Sequence, residues 1–188
     1  MKANIIVSLK VLLAFTVLLG IIYPLAITGF AQLFFPYEAN GSIIKINNKP
    51  TGSELLGQNF QSDSLFWGRP SFSNYNPLKS GASNFSVNSN SIAILQKKQA
   101  DRLKMKINNK SNDLLYYSAS GLDPHISYHS AMIQADRIAK VRNMDIKEVY
   151  KIINKHNEKK QFLFLGEERI NVLLLNLDLI KIENEKSK

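Results

Sequence analysis

The chain has 188 residues, enough for one membrane anchor and one medium-sized domain but too few for two large domains. It contains no cysteine, which excludes disulfides, thiolate zinc sites and cysteine nucleophiles. Its 24 basic and 15 acidic residues give a formal net charge of +9, and this surplus favours anionic lipid, an acidic protein surface or nucleic acid as a partner.

An apolar segment near the N-terminus predicts a membrane-spanning helix. No charge interrupts residues 11–37. At about 1.5 Å per residue such a run crosses a hydrocarbon core of about 30 Å. The run is longer than the apolar region of a cleaved signal peptide, so we expect an uncleaved anchor at residues 11–36. Pro24 lies in mid-span and predicts a kink.

The charges on either side of this span predict its orientation. Lys2 and Lys10 precede it, whereas Glu38 is the first charge after it. The positive-inside rule then puts residues 1–10 in the cytoplasm and residues 37–188 outside it. This outer domain keeps 22 basic and all 15 acidic residues. Because a basic domain outside the membrane rarely meets nucleic acid, we expect no nucleic-acid partner.

Beyond the span the pattern predicts a small α+β domain. A strand at residues 42–46 followed by Asn47 and Asn48 indicates a β-hairpin. Residues 58–90 are rich in Ser, Asn, Gly, Pro and aromatics, which favours a long, ordered but irregular segment. Helical spacing then predicts helices over 91–107, 127–143 and 145–157.

Two further strands and two helix caps complete the predicted elements. The strands are residues 114–119 and 170–182; in the second, leucines alternate with Asn176 and Asp178. Ser127 is the expected N-cap of the second helix. Asp145 and Glu148 form a capping box for the third.

The stretch "SASGLDPHISYHS", residues 118–130, contains the residue types of a hydrolytic triad. One interpretation is a membrane-tethered hydrolase that uses Ser120, Asp123 and His125. The Asp and His are only two residues apart across Pro124, a spacing that does not easily give triad geometry beside a neighbouring serine. No GxSxG elbow accompanies them.

The other interpretation of this stretch is structural. Gly121 allows a turn, Pro124 fixes a backbone angle and Ser127 begins a helix. His125 precedes the cap, so it does not share a helical face with His129 as a zinc motif requires, and we expect no metal site. The free N–H groups at the helix start favour a docking surface for a carboxylate or phosphate.

Six motifs follow the span in order: "GSELLGQNF", "FWGRPS", "YNPLKSGASN", "SGLDPHIS", "QADRIAKVR" and "LGEERINVLLLNL". With the span they resemble the C subunit of the bacterial Kdp potassium-transporting P-type ATPase, from the anchor to about Leu179. The resemblance implies an accessory, non-catalytic subunit of the bacterial plasma (inner) membrane, with one transmembrane helix and an extracytoplasmic domain.

The resemblance also implies partners. They are a potassium-binding channel-like subunit, an ATP-hydrolysing P-type subunit, a small single-span subunit and the lipid bilayer. The complex uses ATP, Mg and potassium, whereas no cofactor is expected to bind this chain directly. The sequence itself is consistent with a non-catalytic chain, because it has no DKTG-type stretch, no Walker motif and no nucleotide-binding glycine fingerprint.

Two roles follow from the resemblance: assembly and stability of the pump, and a catalytic chaperone role that raises the ATP affinity of the ATP-hydrolysing subunit. The resemblance links the chaperone role to a family loop that has been compared with the signature sequence of ABC transporters. In this chain that loop reads Ser80-Gly81-Ala82-Ser83-Asn84, with Ala82 in place of a glycine. Topology argues against nucleotide at this loop, since ATP is scarce outside the membrane. Glu168 also departs from the family pattern, which has proline there.

The motifs supply the candidate interface residues, none of them expected to be catalytic. Trp67 is either a core residue or a partner contact. Arg69 is expected to form an internal ion pair with Asp123 rather than to bind a ligand. A third interpretation of the whole domain is an extracytoplasmic ligand-binding sensor. The candidates are Gln58, Asn59, Phe60, Trp67, Gly68, Arg69, Pro70, Tyr75, Asn76, Pro77, Ser80, Gly81, Ser83, Asn84, Ser120, Gly121, Asp123, Pro124, His125, Ser127, Arg137 and Asn171.

Overall fold

The computed structural model divides the chain into two compact units, Met1–Ser53 and Glu54–Lys188. The residues that the structure describes are 2–46, 48–86, 88–104 and 112–186. Helices and two small antiparallel sheets occur in this described part, which confirms the predicted mixed fold class.

The first unit begins with one long apolar helix. Helix α1 (Lys2–Val17) runs through a π-turn (Leu18–Ile22) into helix α2 (Tyr23–Phe34). Over Asn4–Phe34 this helix is long and apolar enough to cross a membrane by length and composition, and none of its most apolar stretch is buried in the protein.

The π-turn lies where proline interrupts the helical hydrogen bonds. Pro24 has no N–H, and in a regular α-helix its ring would clash with the carbonyl of Gly20 four residues earlier. The wider turn relieves this clash, with Tyr23 N–H donating to Leu18 O. The kink at Pro24 stays a prediction.

A short helix and a hairpin complete the first unit. Phe35 leaves the helical region (φ −134°, ψ 54°), as expected for a residue before proline, and α3 (Pro36–Ala39) follows. Strands β1 (Ile43–Ile46) and β2 (Lys49–Ser53) pair antiparallel, with Ile43 opposite Ser53. The predicted hairpin is therefore confirmed. Asn48 in its turn has a positive φ of 61°, and Asn47 lies outside the described residues.

The second unit is a helical domain around a two-stranded ladder. Strands β3 (His125–Ser127) and β4 (Arg169–Asn171) pair antiparallel, with Ile126 opposite Ile170. The helices are α4 (Asn90–Leu103), α5 (Tyr128–Arg142), α6 (Ile146–Lys155) and α7 (Val172–Lys186). Apolar faces of α5, α6 and α7 close over the ladder and bury Ile138, Ile153 and Leu175 completely.

All three predicted helices form, and the N-caps Ser127 and Asp145 are present, whereas the part of Glu148 in the predicted capping box stays a prediction. Ser127 Oγ accepts from Ser130 N–H at 3.1 Å, and Asp145 Oδ1 accepts from Lys147 N–H at 2.9 Å. The first predicted helix, 91–107, ends at Leu103, with Lys104 in the left-handed region, and residues 105–107 lie outside the described residues. Local periodicity and cap chemistry were sufficient for these elements.

The predicted strand over 170–182 is wrong. Only Arg169–Asn171 is extended, and Val172–Lys186 forms helix α7. The Leu/Asn alternation imitates a strand period, yet the buried residues Val172, Leu175 and Leu179 are spaced three and four apart, as on a helix. Asn171 Oδ1 starts the helix by accepting from Leu173 N–H at 3.0 Å.

The predicted strand over 114–119 is also wrong. Asp113–Leu115 forms a single 3₁₀ turn because Asn112 Oδ1 accepts from Leu114 N–H at 2.9 Å. Tyr116, which follows, has an extended backbone (φ −129°, ψ 145°), and Ser118 N–H donates to Pro70 O in a loop, at 3.0 Å.

Candidate functional site

Four of the sequence motifs meet in one set of loops, residues 57–84 and 117–125, which we call the interlocked loops. Gly57 N–H donates to Leu122 O at 2.8 Å, Ser118 N–H to Pro70 O at 3.0 Å, and Gly81 N–H to Ser120 O at 2.8 Å. These backbone bonds join the two stretches of loop much as strand pairing joins a sheet. They hold the long irregular segment against the stretch that follows the 3₁₀ turn.

Two glycines are required where these loops approach one another. Gly121 has φ +70°, and a Cβ there would lie 2.5 Å from Ser73 Oγ. Ser71 Oγ donates to Gly121 O at 2.7 Å. A Cβ at Gly57 would lie 2.5 Å from the carbonyl oxygen of Asp123. The second glycine was not among the predicted site residues.

Arg69 forms the predicted ion pair with Asp123. Arg69 Nη1 lies 2.9 Å from Asp123 Oδ2, and Nη2 donates to Tyr117 O at 3.2 Å. Burial would raise the pKa of Asp123, but contacts from His125 and the Arg69 guanidinium outweigh it and hold that pKa below its ordinary value. Tyr75 Oη donates to Arg69 O, and burial raises the pKa of Tyr75 to about 12.

The geometry does not support the hydrolase interpretation. Asp123 Oδ1 accepts from the backbone N–H of His125 at 3.0 Å, while His125 Nδ1 is 3.7 Å away, beyond hydrogen-bond distance. Ser120 Oγ accepts from Leu122 N–H at 3.0 Å. No hydrogen bond joins Ser120 to His125 in the described part of the chain. These groups form a turn, not a nucleophile, a base and an orienting acid.

The N-terminus of α5 is filled by the protein itself, so the predicted anion-docking surface there is wrong. Asp113 Oδ2 accepts from Ser127 N–H at 2.7 Å, and Oδ1 accepts from Ser127 Oγ at 2.8 Å. Ser130 Oγ also donates to Asp113. The carboxylate of Asp113 therefore takes the favourable end of the helix dipole.

Trp67 is a core residue, 5% exposed, beside the fully buried Phe66. Two buried amides hold the backbone of this pair. Gln134 Oε1 accepts from Trp67 N–H at 2.8 Å and its Nε2 donates to Trp67 O at 3.1 Å. Asn176 makes the same pair of bonds to Phe66, at 2.8 and 3.0 Å. Neither amide was among the predicted site residues, and Asn176 was expected to alternate with the leucines of a strand.

Two guanidinium groups stack on the indole of Trp67. The Cζ atoms of Arg102 and Arg137 lie 3.8 and 3.7 Å from its ring centroid, and since two groups cannot share one face at this distance, they lie on opposite faces. Arg137 also donates to Gln134 Oε1 at 2.8 Å and to Leu65 O at 3.0 Å. Burial lowers the pKa of Arg137 to about 10 and that of Arg102 below its ordinary value.

An open cleft of about 390 Å³ lies between the interlocked loops and α4. Lys98 and Arg102 are its cations, one helical turn apart, and Ile94 beside them is 69% exposed. None of the described lining residues is acidic. The lining is Asn59, Phe60, Gln61, Trp67, Gly68, Pro70, Ser71, Asn74, Tyr75, Ser91, Ile94, Leu95, Lys98, Gln99, Arg102 and Tyr117.

The structure brings part of the predicted site together and spreads the rest. Six candidates line this cleft: Asn59, Phe60, Trp67, Gly68, Pro70 and Tyr75. The turn and loop candidates lie around it in the interlocked loops: Gln58, Arg69, Asn76, Pro77, Ser80, Gly81, Ser83, Asn84, Ser120, Gly121, Asp123, Pro124 and His125. Ser127 and Asn171 cap helices, the latter also donating to Glu54 O at 2.7 Å, and Arg137 lies on α5.

Comparison with known families decides the assignment. Residues 5–181 match the family described as "K+-transporting ATPase, c chain" (KdpC). The chain belongs to this family. Membership of the KdpC family makes it an accessory subunit of potassium uptake and confirms the resemblance inferred from the six motifs and the span.

Several curated KdpC proteins are similar over almost their whole length. The potassium-transporting ATPase KdpC subunit of Caldanaerobacter subterraneus subsp. tengcongensis is 42% identical over 179 residues, covering 93% of each chain. That of Leptospira interrogans is 43% identical, covering 92% of this chain and 91% of the relative. That of Clostridium perfringens is 42% identical, covering 95% and 97%.

Proposed function

We propose that this KdpC chain stabilises the assembled potassium pump as a non-catalytic subunit, with unit Glu54–Lys188 outside the cytoplasm of a bacterium. The supporting observation for the orientation is the charge pattern around the apolar helix. Lys2 and Lys10 come before its uncharged stretch and Glu38 after it, which favours a cytoplasmic N-terminus in the plasma membrane.

Its proposed partners are the other components of the pump: the channel-like potassium-binding subunit, the ATP-hydrolysing subunit and the small single-span subunit. The docking site is the cleft beside α4, and the occupant is an acidic segment of a partner subunit. The observation that carries this proposal is a cleft with two cations and no acidic side chain among its described lining residues.

The state of Arg102 supports an acidic occupant. Burial already lowers its pKa, so the folded chain bears part of the cost of desolvating this charge. Among the described residues no carboxylate lies within ion-pair distance of Arg102 or Lys98. Asp63 is near enough to act electrostatically on Arg102 but makes no ion pair with it, so a partner carboxylate supplies a direct counter-charge. The exposed Ile94 supplies apolar contact at the edge of the same cleft.

A finer role is to raise the ATP affinity of the ATP-hydrolysing subunit. We propose that this acts through the assembled complex and not through nucleotide held by the loop Ser80–Asn84. Ser80 Oγ and Gly81 N–H both donate to Ser120 O, at 3.1 and 2.8 Å, so neither is free for a phosphate. The cleft instead offers a route by which docking stabilises one arrangement of the partner subunits.

Charge reversal on α4 tests the docking site. In Lys98→Glu the tagged full-length chain should retain about a tenth or less of the partner subunits during purification from membranes, corresponding to about 1.4 kcal/mol or more. Lys97→Glu is the matched control. Both lysines are exposed neighbours on α4, but only Lys98 lines the cleft.

Equal retention of partners by the two variants would overturn the docking site. Loss of partners from both variants would show that only overall charge matters. Potassium-dependent ATP hydrolysis by the purified complex should fall in parallel with assembly in Lys98→Glu, and should stay unchanged in Lys97→Glu.

A further inference from the structure

Four consecutive apolar residues are exposed at a hairpin tip of the second unit, residues 162–165, which we call the FLFL tip. Phe162 is 79% exposed, Leu163 90%, Phe164 73% and Leu165 47%. Runs of three or four exposed apolar residues are disfavoured on soluble surfaces unless they contact something. This tip is separate from the cleft beside α4.

The hairpin that carries the tip is well held at its base. Glu158 and Arg169 exchange backbone hydrogen bonds of 2.9 and 3.1 Å, and their side chains form an ion pair at 2.9 Å. Gln161 and Leu165 exchange backbone bonds of 2.9 Å directly below the tip. The apolar side chains are therefore displayed by an ordered turn.

The turn conformation is not one that these side chains prefer. Phe162 and Leu163 have positive φ values of 50° and 72°, in the region where tight turns normally carry Gly, Asn or Asp. Large apolar residues at these positions destabilise the backbone of the turn, and their side chains are not buried within the described protein. A contact outside the chain accounts for both features.

We propose that the FLFL tip inserts into the interfacial region of the lipid bilayer. The chain has its own candidate membrane span, and residues 35–53, which follow that span, reach at most about 70 Å at roughly 3.3–3.6 Å per residue. The second unit is thus tethered close to a membrane surface. The bilayer is the one apolar phase that the chain itself implies.

The charges around the tip fit this occupant. Between Lys160 and Glu167 no charge interrupts the apolar run, so the tip can enter without desolvating an ion. Lys159 stands at the base on a flexible stem that reaches lipid phosphates, whereas Lys160 Nζ lies 3.5 Å from Glu167 Oε2. Because Glu167 and Glu168 balance them, insertion depends on apolar contact and occurs in neutral as well as anionic membranes.

A single introduced cysteine measures the depth of the tip, since the native chain has none. The full-length Leu163→Cys chain is labelled with an environment-sensitive fluorophore and reconstituted alone into phosphatidylcholine vesicles that contain nitroxide-labelled lipid. Leu78→Cys is the matched control because Leu78 is 92% exposed in a loop that the proposal does not place in the membrane.

The expected result is lipid quenching several-fold stronger at position 163 than at position 78. Adding Phe162→Ser and Phe164→Ser to the Leu163→Cys chain should reduce quenching to the control value. Equal, weak quenching at both positions would overturn the proposal. The proposal would also be overturned if the fluorophore at position 163 became shielded from water only after the other pump subunits were added. That result would place the tip in a protein groove. Neither outcome bears on the docking site beside α4, on which this inference does not rest.

Discussion

At the scale of single residues, the site depends on side-chain amides that form hydrogen bonds to backbone groups which no strand pairs. Gln134 and Asn176 bond both backbone polar groups of Trp67 and Phe66, over sequence separations of 67 and 110 residues. Such bonds leave no local pattern, so sequence reasoning missed them. The Arg69–Asp123 ion pair was predictable because both residues belong to motifs of opposite charge that had no other obvious partner.

Asn176→Leu should lower the free energy of unfolding by about 2–6 kcal/mol, because it leaves the buried N–H and C=O of Phe66 without partners, at about 1–3 kcal/mol each. The measurement is urea unfolding of the full-length chain in detergent, followed by the fluorescence of Trp67, the only tryptophan. Asn154→Leu is the control: its exposed amide oxygen accepts only from Tyr128 Oη, at 2.9 Å, and the change should cost under about 0.5 kcal/mol. Equal effects of the two variants would contradict the role given to the buried amide.

At the scale of elements, three helices were predictable from their apolar spacing and caps, whereas α7 and the elements defined by distant contacts were not. The prediction of a strand over 170–182 was wrong because it relied on the alternation of Leu with Asn and Asp, whereas the buried residues are spaced three and four apart. Asn171 was not recognised as the N-cap of a helix. The segment over 58–90 was correctly expected to be irregular, but its hydrogen bonds to residues 118–122 cannot be read from composition.

Gly121→Ala tests whether the interlocked loops need this close approach. In this variant the new Cβ would lie 2.5 Å from Ser73 Oγ, and the alanine would have to adopt a φ of +70°. We therefore expect a loss of about 1–3 kcal/mol in unfolding free energy. Gly81→Ala in the facing loop is the matched control, because its Cβ would meet no atom within 4 Å. A stability equal to the native chain in Gly121→Ala, measured by the same unfolding assay, would show that the loops are not closely packed there.

At the scale of the whole molecule, the proposed function gives the two units different surroundings. The apolar helix over Asn4–Phe34 was evident from hydropathy alone, although its start at the flanking Lys2 and the π-turn before Pro24 were not. The family was recognisable because six short motifs kept their order along the chain, and the match over residues 5–181 confirms it. The central claim is that the second unit lies outside the cytoplasm, beside the partners it stabilises.

Labelling of a single cysteine in intact cells tests that claim most directly. In Leu78→Cys, the 92% exposed side chain should react with a membrane-impermeant maleimide added outside the plasma membrane, to the same extent before and after the cells are permeabilised. Reaction only after permeabilisation would put the second unit in the cytoplasm and contradict the account.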